Sequence, residues 1–103
     1  MVTPRQGDIW WAEAEDKRRP VLVVTRSEAI PVLKWILVAP LTRTIRGIPT
    51  EIRLDQDHGV DTYCAASFDN LQPIRKTFLT SRIGSLPFPR HEICRTLAAM
   101  ADC

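Results

Sequence analysis

The sequence predicts a small, mainly antiparallel β domain closed by a C-terminal helix. Three observations predict it. Val21-Leu22-Val23-Val24 and Trp35-Ile36-Leu37-Val38-Ala39 are apolar on both strand faces and rich in β-branched residues, as central strands are. Shorter alternating segments separated by turn residues follow each other up to residue 83. Past Ser85 the period changes, and Ile93, Cys94, Leu97, Ala98 and Met100-Ala101 recur at helical spacing.

Gly7-Asp8 ends the N-terminal tail, and Ile9-Trp10-Trp11-Ala12-Glu13-Ala14 forms a first strand. Glu15-Asp16-Lys17-Arg18 is a polar connection of hairpin length. Residues 19–26 make the second strand, whose ladder is expected to start about Pro20 because proline has no N–H to give it. Ser27-Glu28-Ala29-Ile30-Pro31 is a loop with room for one helical turn, which Pro31 keeps from continuing. Residues 34–42 form a third strand, where Pro40 marks a bulge or an end. A basic loop, Arg43-Thr44-Ile45-Arg46-Gly47-Ile48-Pro49, leads to an alternating fourth strand over residues 50–54. Residues 55–59 are a turn cluster, and residues 62–67, 71–74 and 80–83 are further short strands. Pro87 and Pro89 suit a helix entry, so the apolar stripe that follows is expected to dock on the β domain.

The 103 residues fit one domain spanning residues 1–103. A chain of this size buries a little over ~60% of the surface its unfolded form exposes, enough for a real core. No apolar run approaches the ~18 residues of a membrane span, and the N-terminus lacks a signal peptide's apolar region. The expected location is cytoplasmic, with no membrane partner. Cys64, Cys94 and Cys103 are odd in number and irregularly spaced, which argues against a disulfide framework. Cys64 is expected in a strand core and Cys94 in the helix stripe. Formal net charge is only +2, so distribution is more informative than balance. Between Arg26 and Glu51 the one acid is Glu28, against Lys34, Arg43 and Arg46.

If the second and third strands pair as an antiparallel hairpin through residues 27–33, Arg19 falls opposite Thr42. The loops meeting at that pole carry Lys17, Arg18, Arg43, Thr44 and Arg46, with no acid between Arg43 and Thr50. Glu15 and Asp16 partly offset them. A basic rim with hydroxyls suits a phosphate backbone, because arginine donates two parallel hydrogen bonds to phosphate oxygens. Solvated loop charge is the simpler reading of the same cluster.

At these residues the sequence resembles the MazF/PemK family of toxin endoribonucleases. Gly7-Asp8-Ile9-Trp10-Trp11 is similar to the family's opening strand, and Arg19-Pro20-Val21-Leu22-Val23-Val24 to its most recognisable segment. Ala39-Pro40-Leu41-Thr42 resembles the strand end that supplies the family's second catalytic residue, a threonine. Ile48-Pro49-Thr50-Glu51-Ile52 and Ser67-Phe68-Asp69-Asn70-Leu71-Gln72 fall where the family places its next strand and its acidic-amide pair. The resemblance implies an SH3-like barrel of the CcdB/MazF type with a C-terminal helix. It implies a homodimer, neutralisation by a cognate MazE-like antitoxin, and an antitoxin complex that is a candidate for binding operator DNA. It also implies cleavage of single-stranded RNA at short sequences, with no metal and no cofactor. The connection at residues 15–18 is shorter than in many members and has no glycine, so cut-site preference is not carried over.

The implied reaction is attack of a 2′-hydroxyl on the adjacent phosphate, which DNA cannot undergo. Arg19 and Thr42 are the candidate catalytic residues. Arg19 would stabilise charge on the phosphate oxygens, and Thr42 would donate its hydroxyl to the same phosphate. A guanidinium is a poor base at neutral pH, so proton transfer by Arg19 is not expected. Lys17, Arg18, Arg43, Thr44 and Arg46 are candidate RNA backbone contacts. Asn70 and Gln72 carry both donor and acceptor groups able to read base edges, although asparagine is also a common turn former. Trp10, Trp11 and Trp35 can stack on bases, but their strand positions favour core or dimer-interface packing.

Other chemistries fit less well. His58 sits alone in a turn, and His91 with Cys94 supplies two ligands where a zinc site needs more. A second reading is a non-catalytic CcdB-like toxin that binds DNA gyrase through its C-terminal helix end. Its discriminating feature would be a distinctive helix end, whereas Ala98-Ala99-Met100-Ala101-Asp102-Cys103 is bland.

Overall fold

The structure, a computed structural model, describes residues 3–14 and 16–101. Glu15 and Cys103, which figured in the sequence reading, lie outside the described residues. Seven strands form one curled antiparallel sheet: β1 Asp8–Ala14, β2 Lys17–Val23, β3 Trp35–Thr42, β4 Glu51–Leu54, β5 Cys64–Ser67, β6 Gln72–Arg75 and β7 Leu79–Ser85. The order is β4-β5-β3-β2-β1-β7, with β6 also paired to β3. A single helix among the described residues, α1 Pro89–Ala101, follows. The mainly β half-barrel with one C-terminal helix is the class expected.

β2 from Val21 and β3 from Val38 to Pro40 are buried on both faces, whereas Trp35 and Leu37 leave one face of the first half of β3 exposed, against the expectation. Leu22 and Ala39 join Ile9, Ile52, Leu54, Ala66, Phe68 and Ile93 inside the curl, under α1. Val21, Val23, Ile36 and Val38 point the other way, onto Trp10, Ile30 and Leu79. Alternation along each strand thus feeds two apolar clusters from one sheet.

Both prolines in the central strands sit where a ladder does not need their N–H. Pro20 is the fourth residue of β2, not its first. It pairs with Trp11, and the ladder to β3 begins only at Val21. Pro40 lies where β3 exchanges neighbours, between Val38↔Gln72 on β6 and Leu41↔Ala66 on β5. Pro31 also differs from expectation. It lies within the 3₁₀ turn Ile30–Val32, near the turn's start, where a missing N–H is no loss.

The expected helix stripe is the main correction. Pro89 opens α1 as anticipated, but its buried residues are Ile93 and Thr96. Cys94, Leu97, Ala98, Met100 and Ala101 are exposed. Thr96 can be buried because its hydroxyl donates to the Glu92 carbonyl at 2.8 Å, which satisfies its polar atom within the helix. The tryptophans divide as well. Trp10 is core, Trp11 is half-buried, and Trp35 is 51% exposed beside the Arg75 guanidinium.

The gap between β4 and β7 is bridged by backbone contact. Asp55 caps the 3₁₀ turn Gln56–His58, accepting from the Asp57 N–H at 2.9 Å, and Gly59 leaves it at φ 95°. A Cβ on Gly59 would meet the Ile83 carbonyl oxygen at 2.6 Å, and one on Gly84 would collide with the His58 carbonyl. Gly84→Ala is therefore expected to cost about 1–3 kcal/mol, as overpacking does. Urea unfolding would register this as a lower midpoint at an unchanged m-value.

Candidate active site

The β2–β3 ladder runs Val21↔Pro40, Leu22↔Ala39, Val23↔Val38, the register expected from the sequence. Extending it by two residues sets Arg19 across from Thr42. Both line a cavity of about 640 Å³, together with Ser67, Asp69, Asn70 and Gln72. Arg19 is exposed and has no ion pair or hydrogen bond among the described residues. Its guanidinium is therefore available to an external anion. The Thr42 oxygen accepts from the Thr44 N–H at 3.1 Å, and no described residue accepts its proton. The hydroxyl is thus oriented by the loop and keeps its proton to donate.

The other side of the cavity is the 3₁₀ turn Phe68–Asn70, between β5 and β6. Phe68 is fully buried and ties the turn down, its N–H donating to the Thr50 carbonyl at 3.0 Å. Asn70 Nδ2 donates to the Ser67 hydroxyl at 2.9 Å, which leaves the amide oxygen to accept. Asp69 accepts from the Thr50 hydroxyl at 2.9 Å. Asp69 and Ser67 were not among the candidate site residues. The available signal was the acidic-amide pair that the resemblance places within residues 67–72.

Thr44 is exposed and stays beside Thr42 through its N–H, whereas Lys17, Arg18, Arg43 and Arg46 do not line this cavity. Arg18 alternates with Arg19 and so faces the opposite side of the sheet. There it lies 4.2 Å from the Trp11 ring centroid and 3.6 Å from Glu13. Lys17 is exposed at the hairpin end, paired with Ala14. Arg46 is exposed on the loop before β4, where its N–H and that of Gly47 donate to the Glu51 carboxylate at 3.0 and 3.1 Å. Arg43 and Thr42 line a second cavity of about 460 Å³, with Trp11, Asp61, Ser81 and Arg82. Cys64 also lines it. Burial pushes the Cys64 thiol up from its ordinary value, and the Arg43 charge opposes the shift in part.

Cys64 is buried in β5 as expected, whereas Cys94 is exposed on α1 instead of packed in an apolar stripe. Among the described residues no group of three or more His, Cys, Asp or Glu side chains is arranged to hold a metal ion. Nor is any described helix long and apolar enough to cross a membrane.

Comparison with known proteins bears on this arrangement. A family model described as PemK-like, MazF-like toxin of type II toxin–antitoxin system matches residues 5–100. The chain is 39% identical over 103 residues to the probable endoribonuclease MazF5 of Mycobacterium tuberculosis, covering 97% of this chain and 94% of that protein. It is 37% identical over 101 residues to the probable endoribonuclease MazF2 of the same species, covering 96% and 99%. The solved Mycobacterium tuberculosis toxin MazF-mt6 superposes with a TM-score of 0.82 at 32% identity, over 92% of this chain and 96% of that one. A MazE–MazF structure from Deinococcus radiodurans gives a TM-score of 0.77 at 20% identity over the full length of both chains, a likeness of fold. With the family model spanning nearly the whole chain and relatives of matching length above a third identical, the chain belongs to the PemK-like, MazF-like toxin family of type II toxin–antitoxin systems.

Proposed function

We propose that the chain is a sequence-specific endoribonuclease that cleaves single-stranded RNA without a metal, through attack of a 2′-hydroxyl on the adjacent phosphate. The observation that carries this reading is the cavity shared by an Arg19 without a partner among the described residues and a proton-bearing Thr42 hydroxyl. The nucleophile belongs to the substrate, so the protein need only position the phosphate and stabilise the charge it gathers. Arg19 binds the non-bridging oxygens, and Thr42 donates to one of them. Asn70 and Gln72, on the facing wall, read base edges. Lys17, Arg43, Thr44 and Arg46 hold the RNA backbone outside the cavity, and Arg18 does so from the opposite face of the hairpin.

The names of the relatives support the same activity, since several are called endoribonucleases. Solved relatives described as MazE–MazF structures support a MazE-like antitoxin as partner, with a homodimeric toxin and operator binding by the complex as further parts of the reading. The gyrase-binding alternative is not favoured, because the relatives that are more than a third identical over the whole chain are named endoribonucleases.

The test is cleavage of a long single-stranded RNA in EDTA by the purified protein. Cuts at a few short sequences leaving 5′-hydroxyl ends are expected. Thr42→Val should cut roughly 10–10²-fold more slowly, the cost of one hydrogen bond to a charged group, while Thr42→Ser should retain most activity. Absence of cleavage across varied RNAs would overturn the reading.

A further inference from the structure

We propose that the second cavity is the pocket for the nucleobase adjoining the scissile phosphate, and that it prefers a base with an exocyclic amino group. The proposal rests on the ribonuclease reading above and names a part of its substrate. Leu41 and Thr42 line both cavities, so the end of β3 is the wall between them. A nucleotide carries its base and its phosphate on opposite sides of the ribose. A strand crossing Thr42 can therefore set its phosphate on Arg19 and lower the neighbouring base on the far side.

The far side is built for a flat ring. Trp11 pairs laterally with Pro20 on β2 and with Ser81 on β7, so the three residues form one row across three strands of the sheet floor. All three line the cavity. Arg18 lies over the Trp11 ring at 4.2 Å and braces the indole without lining the cavity itself. Base stacking on a fixed aromatic ring is sequence-tolerant and supplies affinity. The volume of about 460 Å³ falls within the usual range for small-molecule sites.

Selectivity comes from the rim. The Asp61 carboxylate has no hydrogen bond or ion pair among the described residues, and it accepts but cannot donate. An acceptor facing the exocyclic group of a base, and not the ring N–H that uracil also carries, selects the amino group of cytosine, adenine or guanine over the carbonyl of uracil. Arg43 and Arg82 stand on the same lining, and Arg82 is held 3.4 Å from Asp8. They hold the flanking phosphates and offset the charge of Asp61.

The experiment maps every cut in a long single-stranded RNA for the wild type, Asp61→Asn, Trp11→Ala and Trp11→Phe, with KM and kcat measured on one short substrate. Asp61 is exposed, so Asp61→Asn should fold normally. It should lose about tenfold of the discrimination against uracil at one position beside the cut, since an amide both donates and accepts. Trp11→Ala should raise KM about tenfold with kcat little changed, and Trp11→Phe should restore it. Wild-type cutting with all three variants keeping its cut profile and KM overturns this pocket alone. A wild type that cuts nothing overturns the ribonuclease reading and the pocket with it.

Discussion

Arg19→Ala is expected to reduce RNA cleavage about 10²–10³-fold, the usual cost of one preorganised donor at a charged transition state. Stability should not change with it. The side chain is exposed, and no described residue depends on it for an ion pair or hydrogen bond. The backbone at Arg19 is held by its pairing with Ala12 and needs no particular side chain. Arg19→Lys should recover only part of the rate, because an ammonium cannot offer the parallel pair of donors that fits a phosphate. Single-turnover cleavage at saturating protein, beside urea unfolding of each variant, separates chemistry from folding. An Arg19→Ala protein that cuts at the wild-type rate would remove Arg19 from the mechanism.

Phe68→Ala should be the most destabilising single change in the site's support, at about 3–5 kcal/mol. Domains of this kind have only about 5–15 kcal/mol in hand, so the loss is a large share. Phe68 is fully buried in the cluster inside the curl, alongside Ile52, Leu54 and Ile93. It is also the first residue of the turn that presents Asp69 and Asn70. Removing the ring leaves a void beneath that turn and loosens the Asn70–Ser67 hydrogen bond above it. Cleavage should therefore fall even under conditions where the variant remains folded. Phe68→Leu fills much of the void and should cost under about 2 kcal/mol. Urea midpoints and cut-site maps for the two variants would check both parts. An alanine variant with wild-type stability would contradict the burial.

What could be read from the sequence follows from how few conformations a residue allows. The β2–β3 register was legible because two doubly apolar strands joined by one short loop have few ways to pair. Pro89 marked the start of α1, since proline fits the first helical turn and not the interior. The docked face of α1 was not legible. Thr96 counts as polar in any apolar stripe, yet its bond to Glu92 makes it an inward residue. Gathering Arg18 and Arg19 on one rim overlooked strand alternation, which sends neighbours to opposite faces. Asp69 lay in the segment matched to the family's acidic-amide pair but was not taken as a site residue, because only the 3₁₀ turn brings it into the cavity that Thr42 lines. Trp35 was assigned to core or dimer-interface packing, and it is not core, because the inward positions on that stretch of β3 belong to Ile36 and Val38.

The pairing of β1 with β7 also sets the order in which a nascent chain can mature. Asp8↔Ser85 and Ile9↔Gly84 join stretches far apart in sequence, whereas β1–β2 and β2–β3 join near neighbours. Chains emerge from the ribosome N-terminus first at about 5–20 residues per second, so the local hairpins are available seconds before β7 is. Arg19, Thr42 and the turn at Phe68–Asn70 are thus all synthesised ahead of the strand that completes their sheet. Until β7 arrives, β1 stands as an open edge and the floor beneath Trp11 lacks Ser81. A ribosome-bound fragment ending before β7 presents Arg19 and Thr42 on an unfinished sheet, which closes only once residues 79–85 have been made.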